Sequence, residues 1–310
     1  MQTNEMSDQL KGKIGKTSLA GSGISRSVAL TLILIIALPS LLTAGEWEVI
    51  DEVEGIDPND IHAVNPQLAW IVGGRQAFGK CGGVFRSFAF TTHDGGESWE
   101  IGLESDANEI FQSVHFLDEA HGWISVGFGS LKILRTTDGG KTWSSCEVAG
   151  WIFDIQFINP LEGWAVGVKW PEMKGGLILR SSDGGRSWRI VETPPAPLYA
   201  VQFINPKVGW AAGKGLLLKT EDGGMSWRAV EIGRYLKDPQ TVLTDICFLD
   251  ELEGWVVGHR GTILHTTDGG ESFKPISIRG LEEASFLDVH FSRDGRGWCV
   301  GWREKRGDLG

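Results

Sequence analysis

Short stretches in which apolar and polar residues alternate recur along the chain, each closed by glycine, asparagine or proline. Residues 150–193 read as four strands. Residues 154–158 alternate, 164–168 are apolar, 177–180 alternate and 188–191 alternate again. Asn159-Pro160, Gly175-Gly176 and Gly184-Gly185 fall in the gaps, where chain reversal needs turn-forming residues. No segment carries the 3.6-residue apolar period of a long helix.

The unit repeats. A Ser/Thr-x-Asp-Gly-Gly-x-Ser/Thr-Trp string occupies 92–99, 136–143, 181–188 and 220–227, and 266–273 ends in Phe273 instead. Its aspartates, Asp94, Asp138, Asp183, Asp222 and Asp268, are spaced by 44, 45, 39 and 46 residues. A second string, Trp-x-x-Gly, begins at Trp70, Trp164, Trp210, Trp255 and Trp298, and at Trp123 with one more residue before the glycine. A third alternates: VHF at 114–116, IQF at 155–157, VQF at 201–203, ICF at 246–248 and VHF at 289–291. Four strands every 40–45 residues predict an all-β propeller. Repeats span about 53–105, 106–149, 150–193, 194–234, 235–279 and 280–310. Residues 45–52 match the fourth strand of a repeat and are expected to close the last blade, hiding both free sheet edges. Six blades are visible; a seventh is expected if the chain is truncated at Gly310, where the last repeat stops short of its third strand.

The N-terminus stands apart. Lys11, Lys13, Lys16 and Arg26 precede residues 28–42, which are apolar but for Thr31, Pro39 and Ser40, and Thr43-Ala44-Gly45 follows. Residues 1–44 read as a signal peptide, with an uncleaved N-terminal anchor as the alternative, because the run is short of the ~20 residues that a span needs. The propeller domain is then 45–310, exported to a periplasmic, lumenal or extracellular space. It carries 25 basic and 38 acidic residues, a net charge of −13 that disfavours nucleic acid as a partner. Cys81, Cys146, Cys247 and Cys299 have no metal-ligand spacing, and in an oxidising compartment they can pair.

Five copies of the Asp box in equivalent places point to a structural role, because a catalytic group is needed once. The aspartate can accept N–H groups of its own turn, and the glycines take angles that a Cβ forbids. Three residues before each box aspartate stand Thr91, Arg135, Arg180, Lys219 and His265. The last four form an arc, read either as a grip for a partner's carboxylates or as strand residues paired with nearby Glu and Asp. A second arc, Asp60, Ser113, Asp154, Ala200, Asp245 and Asp288, lies on the first strands, which line a propeller's channel. Its four carboxylates either meet a cation or cap strand entries in water; no Ca-loop spacing accompanies them. His62, His115, Gln156, Gln202, Cys247 and His290 occupy the next-but-one place, and their mixed chemistry reads as polar filling rather than a metal site.

The GWxVG and GxILxTTDGGxxW strings, closest at 131–143 (LKILRTTDGGKTW) and 254–270 (GWVVGHRGTILHTTDGG), resemble the photosystem II stability and assembly factor family of BNR (Asp-box) repeat propellers. The resemblance implies an exported or lumenal, seven-bladed, non-catalytic scaffold. It also implies a protein partner, such as an integral membrane protein or its acidic tail, an arginine-rich patch that the basic arc fits, and no cofactor. The alternatives are an Asp-box glycoside hydrolase, sialidase- or glucanase-like, and a cell-surface glycan or peptide binder. A sialidase needs a Tyr nucleophile, and only Tyr199 and Tyr235 exist.

Overall fold

The computed structural model describes residues 35–37, 57–79, 82–291 and 296–303, all within one compact unit, Leu32–Gly310. After β1 (Ile35–Ala37) come five four-stranded antiparallel sheets. The first holds β2 (Asp57–Ala63), β3 (Ala69–Gly79), β4 (Gly82–Thr92) and β5 (Glu100–Ser105). The second holds β6 (Ile110–Phe116), β7 (Gly122–Gly127), β8 (Lys132–Thr136) and β9 (Ser144–Glu147). In the third are β10 (Gly150–Phe157), β11 (Gly163–Lys169), β12 (Gly176–Ser181) and β13 (Arg189–Glu192). The fourth comprises β14 (Leu198–Phe203), β15 (Gly209–Gly213), β16 (Leu216–Thr220) and β17 (Arg228–Ala229). The fifth comprises β18 (Leu243–Phe248), β19 (Gly254–Gly258), β20 (Ile263–Thr266) and β21 (Lys274–Pro275). A sixth sheet runs β22 (Ser285–Phe291), β23 (Gly297–Trp302), β1.

The first strands, β2, β6, β10, β14, β18 and β22, pack side by side in sequence order. Carboxylates on non-adjacent first strands, Asp60 with Asp154 and Asp154 with Asp288, feel one another's charge. The first strands therefore face a common axis, and the sheets are blades of a propeller, six among the described residues. Each blade is a meander, and in the second to fifth blades the second strand is deeply buried, as in the fully buried β7, GWISVG. In the sixth blade β1 takes the third-strand place, with Ile35 opposite Cys299. Residues 45–52, expected as the closing strand, and 304–310 lie outside the described residues.

A Trp–Phe stack joins the blades. Trp123 of β7 lies 3.5 Å from Phe157 of β10, at 4° between ring planes. Trp164–Phe203, Trp210–Phe248 and Trp255–Phe291 repeat the arrangement at 3.7 Å, and Trp70–Phe116 at 4.8 Å. In the first five blades the second-strand Trp thus covers the Phe that ends the next blade's first strand. Box tryptophans Trp143, Trp188 and Trp227 close the other side, edge-on to Phe116, Phe157 and Phe203. Stacked and T-shaped aromatic pairs add about 0.5–1.5 kcal/mol each beyond the area they bury. The first blade departs from the repeat: β3 and β4 run 11 residues each, paired from Ala69↔Thr92 out to Gly79↔Gly82, a hairpin longer than any other described.

Candidate functional site

The five Asp boxes are identical in detail. Asp94 Oδ1 accepts the Thr92 hydroxyl at 2.7 Å and the Ser98 N–H at 2.9 Å, while Oδ2 accepts the Ser98 hydroxyl at 2.6 Å. Asp138, Asp183, Asp222 and Asp268 make the same three bonds. Hydrogen bonds from Ser98 hold the Asp94 carboxyl at about 2, and the other four sit at about 2 as well, Asp183 against the opposing push of burial. The glycines serve the neighbouring blade. Gly185 has φ +84°, and a Cβ there would lie 2.7 Å from Trp123 Nε1 of the preceding blade. Trp123 Nε1–H donates to the Gly184 carbonyl at 3.0 Å, and Trp164 Nε1–H to the Gly223 carbonyl at 3.3 Å.

The channel carboxylates are also consumed by the fold. A register shift precedes each, between Pro58 and Asp60, Ile152 and Asp154, Leu243 and Asp245, and Phe286 and Asp288. Such a bulge re-aims the following side chain. Asp60 Oδ2 accepts the Val114 N–H of the next blade at 2.8 Å, Asp154 Oδ2 the Val201 N–H at 2.7 Å, and Asp245 Oδ2 the Val289 N–H at 2.8 Å. Asp60 and Asp154 are surrounded by protein yet half-open to the channel. Burial pushes Asp60 up to about 7 and Asp154 up to about 6. Burial, then the Asp288 carboxylate hydrogen-bonded to it, pushes Asp245 well up. Among the described residues, no group of three or more His, Cys, Asp or Glu is arranged to hold a metal ion.

The next-but-one positions form a third row of blade-to-blade bonds. Gln156 and Gln202 each bridge both the N–H and the carbonyl of the following blade's Phe203 and Phe248. His115 Nε2 meets the Phe157 carbonyl at 3.1 Å, and the Phe291 N–H meets Cys247 Sγ at 3.3 Å. Burial, then neighbouring His62, pushes His115 down to about 3, so this imidazole is a neutral filler. Cys146, Cys247 and Cys299 are free thiols; Cys81 lies outside the described residues.

The basic arc lies on the second-strand tryptophans. Arg135, Arg180, Lys219 and His265 are cross-strand partners of Trp123, Trp164, Trp210 and Trp255. Arg180 lies over Trp164 and bonds Glu162 at 3.0 Å. Lys219 lies over Trp210 and pairs with Glu221 at 3.1 Å, and His265 stacks on Trp255 and meets Glu253 at 3.2 Å. Arg135 alone of the four has no carboxylate partner among the described residues; its buried Nε is unbonded, and Arg186 and Asp183 of the next blade are its charged neighbours. Thr91 donates to the Ala69 carbonyl instead.

A feature absent from the sequence reading is an open cleft of about 650 Å³ at the connections between the third and fourth blades. Met173, Lys174, Pro195, Pro197, Tyr199, Lys214, Leu216 and Pro239 line it. Apart from Tyr199 of β14 and Leu216 of β16, those residues lie in connections outside the repeated strings, so periodicity gave no signal for the cleft.

Among solved structures, the chain is similar to an ancestral GH74 enzyme (14% identity, TM-score 0.60, covering 85% of this chain and 37% of that one), which shows the shared fold alone. YCF48 bound to D1 peptide is also similar (18% identity, TM-score 0.45, 85% and 99% covered). The photosystem II assembly lipoprotein Ycf48 of Synechococcus sp. (strain CC9902) is 31% identical over 160 residues, 50% of this chain and 42% of that protein. The chain spans less than half the length of the curated relatives it matches. The BNR/Asp-box repeat is matched at residues 134–145. The family described as photosynthesis system II assembly factor YCF48 is matched at residues 146–242 and 234–304, just over half of the chain, and the chain belongs to that family.

Proposed function

We propose that the chain is a non-catalytic, exported scaffold that binds a protein partner, an integral membrane subunit during its assembly. One observation carries this reading: three of the four channel carboxylates and all five box aspartates are engaged by the fold itself. Asp60, Asp154 and Asp245 accept N–H groups of the next blade, and the Asp boxes fold their own turns. The Tyr235 hydroxyl is occupied too. Tyr235 Oη accepts the Phe273 N–H at 3.2 Å, and the Tyr199 ring stacks 5.1 Å from Phe153. A sialidase nucleophile or an inverting pair of carboxylates would need groups free to meet a sugar. Within the basic arc, Arg135 is the member left to meet a partner's carboxylate. The lipoprotein description of the Synechococcus relative supports a place outside the cytoplasm.

Isothermal titration with the D1 peptide, the ligand in the solved YCF48 complex, tests the reading. Saturable binding is expected. A flat titration, together with release of reducing sugar from a β-glucan by the same preparation, would replace the scaffold with a hydrolase.

A further inference from the structure

We propose that the cleft between the third and fourth blades is a docking groove for an extended acidic segment of the partner protein, which rests on the scaffold reading above. The groove is built from connections, not from repeats. The β11–β12 loop supplies Met173 and Lys174, the stretch before β14 supplies Pro195 and Pro197, and the β15–β16 turn supplies Lys214. Pro239 forms the far wall. Its volume of about 650 Å³ lies within the range of sites that hold small ligands and short peptide stretches.

Three observations favour an acidic, partly apolar occupant. The first is charge. Lys174 and Lys214 are exposed, and neither forms an ion pair with a described residue, in a chain of net charge −11. On the following connections Arg260 pairs with Asp238 at 2.9 Å, and Lys237 with Glu283 at 3.6 Å. Two unpaired lysines therefore flank the groove as its positive rim.

The second observation is the wall chemistry. Three prolines and the Tyr199 ring present a stiff apolar surface that loses little conformational freedom when a peptide lies on it. Tyr199 continues into an aromatic ladder, stacked on Phe153 at 5.1 Å, which is in turn 5.6 Å from Trp151. Beside it, Trp170 and Met173 are 45% and 42% exposed, apolar surface unusual for an acidic protein.

The third is rigidity of the frame. The Lys214 N–H donates to the Pro197 carbonyl at 3.0 Å, the Gly215 N–H to the Thr241 carbonyl at 2.8 Å, and the Gly176 N–H to the Pro194 carbonyl at 2.6 Å. These bonds tie the walls of both blades to each other, so the groove is formed before a ligand arrives. An extended segment alternating Glu with Leu or Pro would place its carboxylates at the lysines and its apolar side chains on Tyr199 and the prolines.

The test is fluorescence anisotropy of the full chain with a fluorescein-labelled peptide, Glu-Leu-Glu-Pro-Leu-Glu, and its all-Gln counterpart. The variants are Lys174→Glu/Lys214→Glu, Tyr199→Ala and Lys141→Glu, each checked by circular dichroism melting. Expected are binding of the acidic peptide by the wild-type chain and a rise in Kd of about tenfold or more in the double lysine variant. That is the loss of two exposed ion pairs plus the repulsion that replaces them. Weaker binding of the all-Gln peptide and an unchanged Kd for Lys141→Glu, an exposed lysine away from the groove, are expected as well. The groove is refuted if the acidic peptide does not bind, if the lysine variant binds it equally, or if the Gln peptide binds as well. If the lysine variant is neutral while the D1 peptide still titrates, the groove falls and the scaffold reading stands; if neither peptide binds, both fall.

Discussion

Asp154→Asn is predicted to stabilise the protein at pH 8 and to leave it unchanged near pH 3.5. In the native state the Asp154 carboxylate accepts the Ile155 N–H at 2.8 Å and the Val201 N–H of the next blade at 2.7 Å. Burial outweighs these bonds and pushes its pKa up to about 6. An unfolded chain would take up the same proton only near 3.9. The native state therefore binds more protons between those values, so stability is fully present below the unfolded value and is lost as the pH rises through about 6. At 1.36 kcal/mol per pH unit the gap sets an upper limit of about 3 kcal/mol; access of channel water to the half-buried group reduces this to about 1–2 kcal/mol. A carboxamide, like a protonated carboxyl, offers one full acceptor and no charge, so the variant should match the wild type in acid and exceed it in base. Asp60, pushed up to about 7, adds to the same slope in the wild type, whereas the box aspartates at about 2 titrate outside this window. Urea unfolding followed by tryptophan fluorescence at pH 3.5, 5, 6 and 8 reads the difference directly. Parallel pH profiles for the two proteins, or a variant less stable at pH 8, would refute the reasoning.

Other expectations follow from the blade interfaces. Trp164, fully buried and stacked on Phe203, should cost about 3–5 kcal/mol when replaced by alanine, seen as a lower urea midpoint with a similar slope. Gly185→Ala should destabilise by more than the ~1 kcal/mol of backbone strain, because its Cβ would meet Trp123 at 2.7 Å while φ stays positive; a thermal melt equal to wild type would count against the packing described. Burial pushes the Cys247 thiol up to about 11 and the Cys299 thiol up to about 12, so a thiol reagent at pH 8 should label both only after unfolding.

Much of the fold was legible because its information is periodic. The predicted strands 164–168 and 177–180 fall inside β11 and β12, and the Asp-Gly-Gly strings fold as turns of the kind their chemistry implies. The partner of each recurring residue was not legible, since partners lie on the next blade, outside the string that contains the residue. Trp123 and Phe157 both stood out in the pattern, but nothing in either string says that they stack. The same holds for Asp60, Asp154 and Asp245, whose spacing fits a channel lining, a cation site or a latch; the bulge before each, visible only in the strand register, turns them toward the next blade's N–H. The long β3–β4 hairpin and the cleft by Tyr199 arise from insertions and connections, where no second copy exists for comparison.

The scaffold reading is tested most directly by affinity purification of the full-length protein from its own cross-linked membranes, quantified by mass spectrometry. The account predicts an integral membrane subunit recovered in near-stoichiometric amount with the propeller. Recovery of the propeller with no membrane subunit above the untagged control would contradict it.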